Sequence, residues 1–210
     1  MAIDDAGETR IEFIQTLEPT FSQPALAQAV IDVPIGLPTS GARCCDKEAR
    51  RLLQPPRASS VFPAPIRTVL PARSQKEASD LWWEAERERC TAQLAAILPK
   101  IRDVDGLITP ARQSQIREGH PEVSFAVMNN GRAMSHPKRR SAGREERLAV
   151  VEKTYPGVRT QLAGLGSFVG DAVDALAMLW TARRAASGQA LVLPKVSQVD
   201  DHGLRMEIVA

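Results

Sequence analysis

The sequence predicts an α/β domain, and three observations predict it. A continuous apolar run from Ala29 to Val33 (AVIDV), interrupted only by Asp32, has the composition of a strand buried on both faces. Two longer stretches, Gln75 to about Leu107 and Gly170 to about Ser187, carry apolar residues at helical intervals. The 210 residues are 43% hydrophobic and 25% charged, the balance of a globular chain with a real core. That length suits a single domain over residues 1–210, with an insertion at about residues 39–110.

Taken in chain order, Arg10 to Leu17 (RIEFIQTL) has the β-branched and aromatic content of a strand. The turn signal DDAG ahead of it predicts a hairpin whose first strand lies at or before residue 1. Pro19 opens a loop, and Pro24 to Gln28 reads as a short helix before the strand that bears Asp32. From Pro34 to about Ser74 the chain is dense in Pro and Arg around one helical segment, DKEARRLL. So long an irregular excursion predicts a functional lid or a disordered segment. With Arg43, Arg50, Arg51, Arg57, Arg67 and Arg73 it is the most basic part of the chain.

Gln75 to Leu107 predicts one helix, or two joined at Pro99, with Trp82 and Trp83 as packing anchors. Val123, Phe125 and Val127 alternate in EVSFAVM, which predicts a second strand. After the basic loop SHPKRRSAGREER come a helix from Arg144 to about Lys153 and the last long helix, stopped by Gly188. LVLPKV and GLRMEIVA predict edge strands.

Composition excludes several classes. A net charge of +2 gives no global basic field for nucleic acid, so any such contact depends on local patches. Cys44, Cys45 and Cys90 are odd in number and form no CxxC pair, which argues against a disulfide framework or a zinc site and for a reducing cytoplasm. The start, MAIDDAGETR, lacks a basic signal-peptide head, and no stretch approaches the ~18 apolar residues of a membrane span.

The candidate chemistry is acidic. Asp32 has no packing reason to stand in an apolar strand, although an Asp at a strand end also bonds the following turn. Asp171 and Asp174 lie three apart in GDAVDALAMLW and share one helical face. The helix macrodipole accounts for Asp171 in a first turn better than for Asp174. Three carboxylates meeting across a cleft would hold a divalent metal. Glu118, His120 and Glu122 in REGHPEVSF sit just before and at the start of the predicted strand, as a ligand, a base or a solvated rim. Lys138, Arg139 and Arg140 form either a solvated loop or a phosphate contact.

Seven strings in order, VIDVPIGLP, RCCDKEAR, SSVFPAPIR, LPKIRDVD, EGHPEVSF, HPKRRSAG and DAVDALAMLWTA, resemble the family known as domain of unknown function 429, from about residue 10 to the carboxyl terminus. Members of that family are described as predicted nucleases of ribonuclease H-like fold. The resemblance implies a mixed five-stranded sheet flanked by helices, with a large helical insertion between the strand of Asp32 and that of EVSFAVM. It places Asp32 at the fourth-strand acid position and matches Asp171 and Asp174 to carboxylates on the last helix that complete a two-metal site. Glu118 is an additional ligand or base, and the implied ions are Mg²⁺ or Mn²⁺, as hard oxygen donors select. The implied partner is nucleic acid, gripped by Lys138, Arg139, Arg140 and the arginine-rich insertion.

One departure stands against the match. The family opens with a strand carrying Gly-x-Asp-Gly and then a Trp, and MAIDDAG resembles only the end of that strand and its turn. The central Asp would lie upstream of Met1, so the expectation is a chain started at an internal methionine rather than one that has lost a central strand and exposed its neighbours' edges. As written, the expected site is incomplete, which admits both an active and an inactive chain. The alternative is a non-catalytic nucleic-acid-binding or scaffold protein of the same fold. Phosphotransfer lacks support, because the chain has no Gly-rich phosphate loop.

Overall fold

The computed structural model describes residues 1–5, 8–23 and 26–210. The chain opens with a hairpin, β1 (Ala2–Asp5) antiparallel to β2 (Glu8–Ile11), in which Ala2 faces Ile11 and Asp5 faces Glu8. Its first strand therefore lies within the chain, and its second stops at Ile11 rather than Leu17. Past Ile11 the apolar side chains leave the ladder: Phe13 is exposed and meets Phe168 edge-on, with ring centroids 5.0 Å apart. A short helix, α1 (Glu18–Phe21), forms where a loop was expected, because Pro19 fits a helical first turn that needs no donor from it. Of the helix expected at residues 24–28, Pro24 and Ala25 lie outside the described residues, and residues 26–28 are not helical.

Next comes β3 (Ala29–Ile31), only half-buried, with Asp32 directly after it. Its partner is β4 (Ile116–Glu118), which is parallel to it with Ile31 level with Glu118. Between them run α2 (Cys44–Arg57), α3 (Gln75–Glu86) and α4 (Ala92–Leu107). The Pro-rich excursion is packed rather than loose. Ile35, Leu37, Leu53, Val61, Ala64, Ile66 and Val69 are buried in it, since prolines fix extended segments whose apolar neighbours pack. The break between α3 and α4 falls at left-handed Arg87, not at Pro99, which lies inside α4. Side-chain caps set the two starts: Ser74 Oγ accepts the Glu77 N–H at 3.1 Å, and Thr91 Oγ1 accepts that of Leu94 at 3.2 Å. Trp82 anchors the packing at 6% exposure, whereas Trp83 is 39% exposed beneath Arg87 and Arg89.

EVSFAVM is not a strand. Pro121–Met128 forms α5, its first turn closed by the Ser124 N–H donating to the His120 carbonyl at 3.0 Å. Every residue from Pro121 to Ala126 is buried, so the helix has no polar face to betray its period, and Val123, Phe125 and Val127 imitate alternation. There follow α6 (Ser141–Thr154), α7 (Val158–Leu162) and α8 (Val169–Ala186), the last closed by Ser187 and by Gly188 at φ +70°. The chain ends in the antiparallel pair β5 (Val192–Val199) and β6 (Arg205–Val209). A single parallel bridge from Gly119 to Val209 sets β6 beside the end of β4, and β6 is buried.

Among the described residues the strands make three two-stranded sheets, a mixed α/β arrangement. Helix α8 packs under β1, β3, α5 and α6, and its Leu176 and Ala177 join Phe125, Val150, Val151, Val158 and Leu162 in the main core. No described helix is long and apolar enough to cross a membrane.

Candidate functional site

The parallel pair β3–β4 sets the geometry. The Gly119 N–H donates to the Ile31 carbonyl at 2.9 Å, which carries the ladder one step past β4 and brings residues 119 and 120 beside Asp32. The site thus lies at the carboxyl ends of parallel strands, where α/β folds open a crevice. Gly119 is required there. A Cβ would stand 2.4 Å from Val30 Cγ1 and 2.9 Å from Met178 Sδ, so a side chain would push β4 off β3 and α8.

Strand alternation then sorts the acids. Val30 packs against the core built on α8, and Asp32, two residues on, shares that face. Asp174 stands on α8, its side chain 16% exposed, and Lys138 Nζ donates to its Oδ2 at 3.1 Å. The two carboxyls perturb one another. Burial pushes Asp174 up to about 6, with Asp32 and Glu122 adding to the rise and Lys138 opposing it. Burial likewise raises Asp32, against His120, Lys138 and Lys100. Asp32 is nonetheless solvent-exposed.

Ile31 and Glu118 share the opposite face. Glu118 is buried and bound by the Arg43 fork, Nη1 to Oε2 and Nη2 to Oε1 at 2.7 Å each, and it accepts the Ile35 N–H at 2.7 Å. Arg43 also donates to Asp46 at 2.6 and 3.2 Å, and Asp46 accepts the Ala64 N–H at 3.1 Å. Burial raises the Glu118 carboxyl and the Arg43 fork opposes the rise. Glu118 therefore ties the insertion to β4, with both of its oxygens engaged.

Glu122 is similarly engaged by Arg147, at 2.6 to 2.9 Å. Arg147 also donates to the His136 carbonyl at 3.0 Å and to that of Gly143 at 2.6 Å. Glu146 accepts the N–H groups of Ser135 and His136 at 2.7 and 3.0 Å. A Cβ on Gly143 would fall 2.1 Å from the Pro137 carbonyl oxygen. These residues fix the loop that presents Lys138. The sequence reading missed Arg147, Glu146 and Gly143; the available signal was an Arg and a Glu one helical turn behind a glycine in SAGREER.

Asp171 is exposed in the first turn of α8, where its charge acts on the Met1 amino group. Arg139 and Arg140 are exposed on the rim. Three arginines of the insertion serve the fold: Arg43 as above, Arg67 paired with Asp105 and Asp200 at 3.0 and 2.5 Å, and Arg50 donating to the Val61 carbonyl at 2.6 Å, while Arg51 and Arg73 are exposed. His120 Nε2–H donates to the Ser60 carbonyl at 3.3 Å, which leaves a buried Nδ1 without a hydrogen-bond partner.

Of the four expected carboxylates, then, Asp32 and Asp174 converge, Glu118 is bound elsewhere and Asp171 lies near the amino terminus. Among the described residues no three Asp, Glu, His or Cys side chains gather to hold a metal unaided. Two carboxylates still suit Mg²⁺, which keeps several waters and commonly takes one or two carboxylates together with substrate phosphates.

The chain belongs to the family described as protein of unknown function (DUF429), which matches it over residues 1–199. No curated protein and no solved structure matches it.

Proposed function

We propose that this protein is a divalent-metal-dependent phosphodiesterase acting on nucleic acid, with Asp32 and Asp174 as the pair that holds the cation. The observation that carries the reading is two carboxyls, both raised by burial, at the carboxyl end of a parallel strand pair, where Lys138 bonds Asp174 and acts on Asp32 only through its charge, beside His120 and Lys100. Such a pair is short of positive charge, and a cation relieves it. A bound Mg²⁺ or Mn²⁺ would supply charge to a phosphate oxygen and acidify the attacking water. Lys138, Arg139 and Arg140 contact the phosphate backbone from the rim, a positioning role without sequence information. Glu118 and Glu122 hold the framework through Arg43 and Arg147. A ribonuclease H-like arrangement of the strands extends the same proposal.

The test pairs calorimetry with Mg²⁺ or Mn²⁺ against cleavage of labelled DNA and RNA. Asp174→Asn should remove both ion binding and cleavage while the protein stays folded. Cleavage that continues unchanged in that variant would refute the assignment. The scaffold alternative draws on the convergence of only two acids, and it predicts oligonucleotide binding in metal-free buffer that Asp174→Asn leaves nearly intact.

A further inference from the structure

Beside the β3–β4 pair one ammonium bonds Asp174 and acts through its charge on Asp32. Lys138 Nζ stands 3.1 Å from Asp174 Oδ2, and the charges of Asp32 and Glu122 act on the same amine. Its two ends differ sharply. The backbone before it is clamped by Glu146 on Ser135 and His136, by Arg147 on His136 and by the close approach of Gly143 to Pro137. The side chain is 65% exposed, while that of Asp174 is 16% exposed. A lysine of this kind, fixed at its root on a flexible four-carbon stem, leaves its carboxylate without any movement of the main chain.

We propose that Lys138 is the phosphate-binding residue of the site, held on Asp174 as an internal counter-ion until a divalent cation displaces it onto a phosphodiester oxygen. This rests on the reading of Asp32 and Asp174 as the cation-holding pair. Charge balance drives the exchange. When both are ionised, Asp32 and Asp174 carry two negative charges; a divalent ion neutralises both and repels the ammonium, whose next partner is the anion that shares the ion. Glu122 does not recapture it, because Arg147 occupies both of its oxygens. The ion and the lysine therefore compete in the free protein and cooperate once substrate is bound. A lysine serving only the fold would do neither.

The experiment uses the full chain and Lys138→Met, which keeps the stem and removes the charge. Calorimetry with Mn²⁺ alone should show the variant binding about tenfold more tightly, since it no longer has to expel a cation. At saturating Mn²⁺ a single-stranded oligonucleotide should bind it about tenfold more weakly. Lys138→Arg, with its charge kept, should stay near the wild type for Mn²⁺. Equal Mn²⁺ affinity in wild type and Lys138→Met, or a weaker variant, overturns the exchange and leaves the ion-holding pair standing. If neither protein binds Mn²⁺, the ion-holding pair itself falls and the exchange with it.

Discussion

Glu118 and Asp32 sit one residue apart in the β3–β4 register, yet their surroundings are opposite. On the Glu118 face, the Arg43 guanidinium reaches Glu118, Asp46 and two backbone carbonyls, and Ile35 and Ala64 add N–H donors. On the Asp32 face, one exposed lysine bonds Asp174, and Asp32 is met only by the charges of His120, Lys138 and Lys100. The first arrangement satisfies buried charge and stiffens the joint between the insertion and the sheet. The second leaves charge uncompensated at an opening to solvent. An acid's place in a motif does not tell the two apart; its partner does.

The largest effect expected from breaking this contrast is at Arg43. Arg43→Met should cost about 3–5 kcal/mol in urea denaturation, because it strands two buried carboxylates. A loss below about 1 kcal/mol would show that the network does not hold the insertion. Next comes a paired comparison of function. Asp32→Asn should reduce metal-dependent cleavage by about 100-fold or more with the unfolding midpoint little changed. Glu118→Gln should do the reverse, lowering stability by about 2–4 kcal/mol and sparing turnover per folded molecule. If both variants lose activity alike at full folding, Glu118 belongs to the chemistry and the two faces are not distinct.

A comparable effect is expected with pH. The Asp174 carboxyl rises from 3.8 to about 6 on folding, so the folded state holds the proton more tightly than the unfolded one. Its contribution to stability is complete below about pH 4 and is lost as pH rises through about 6. In metal-free buffer Asp174→Asn should therefore exceed the wild type by about 3 kcal/mol at pH 8 and match it at pH 4. Thermal melts at the two values check this, and a difference that is the same at both would remove the buried-charge explanation. The smallest effect belongs to the rim. Changing both Arg139 and Arg140 to Ala should leave stability within about 0.5 kcal/mol while the salt dependence of oligonucleotide binding flattens by about two units of slope. An unchanged slope would place the phosphate contacts elsewhere.

Local chemistry made part of this legible. Asp32 and Asp174 stand out because an acid in an apolar run needs a reason, and the structure brings them near enough for Asp32 to act on Asp174. Ser187 and Gly188 close α8 where the last helix was expected to stop, since the left-handed turn there suits glycine. The strand pairs at the two termini carry their own signals of β-branched residues and turns. Helix α5 was illegible for a physical reason: buried on all sides, it has no amphipathic period. The core within residues 34–74 was hidden too, because Pro and Arg there resemble a loop until their partners are in place.

From the sequence alone came the mixed α/β character, the family, the long helices and the suspicion attached to Asp32 and Asp174, all properties of neighbouring residues and their spacing. Only the tertiary structure decided which acids are bound and which are open. Arg43 finds Glu118 across 75 positions of chain, Arg147 finds Glu122 across 25, and Lys138 finds Asp174 across 36. Long-range charge pairing leaves no periodic trace in a sequence. Its energy depends on burial and geometry that exist only once the elements have packed.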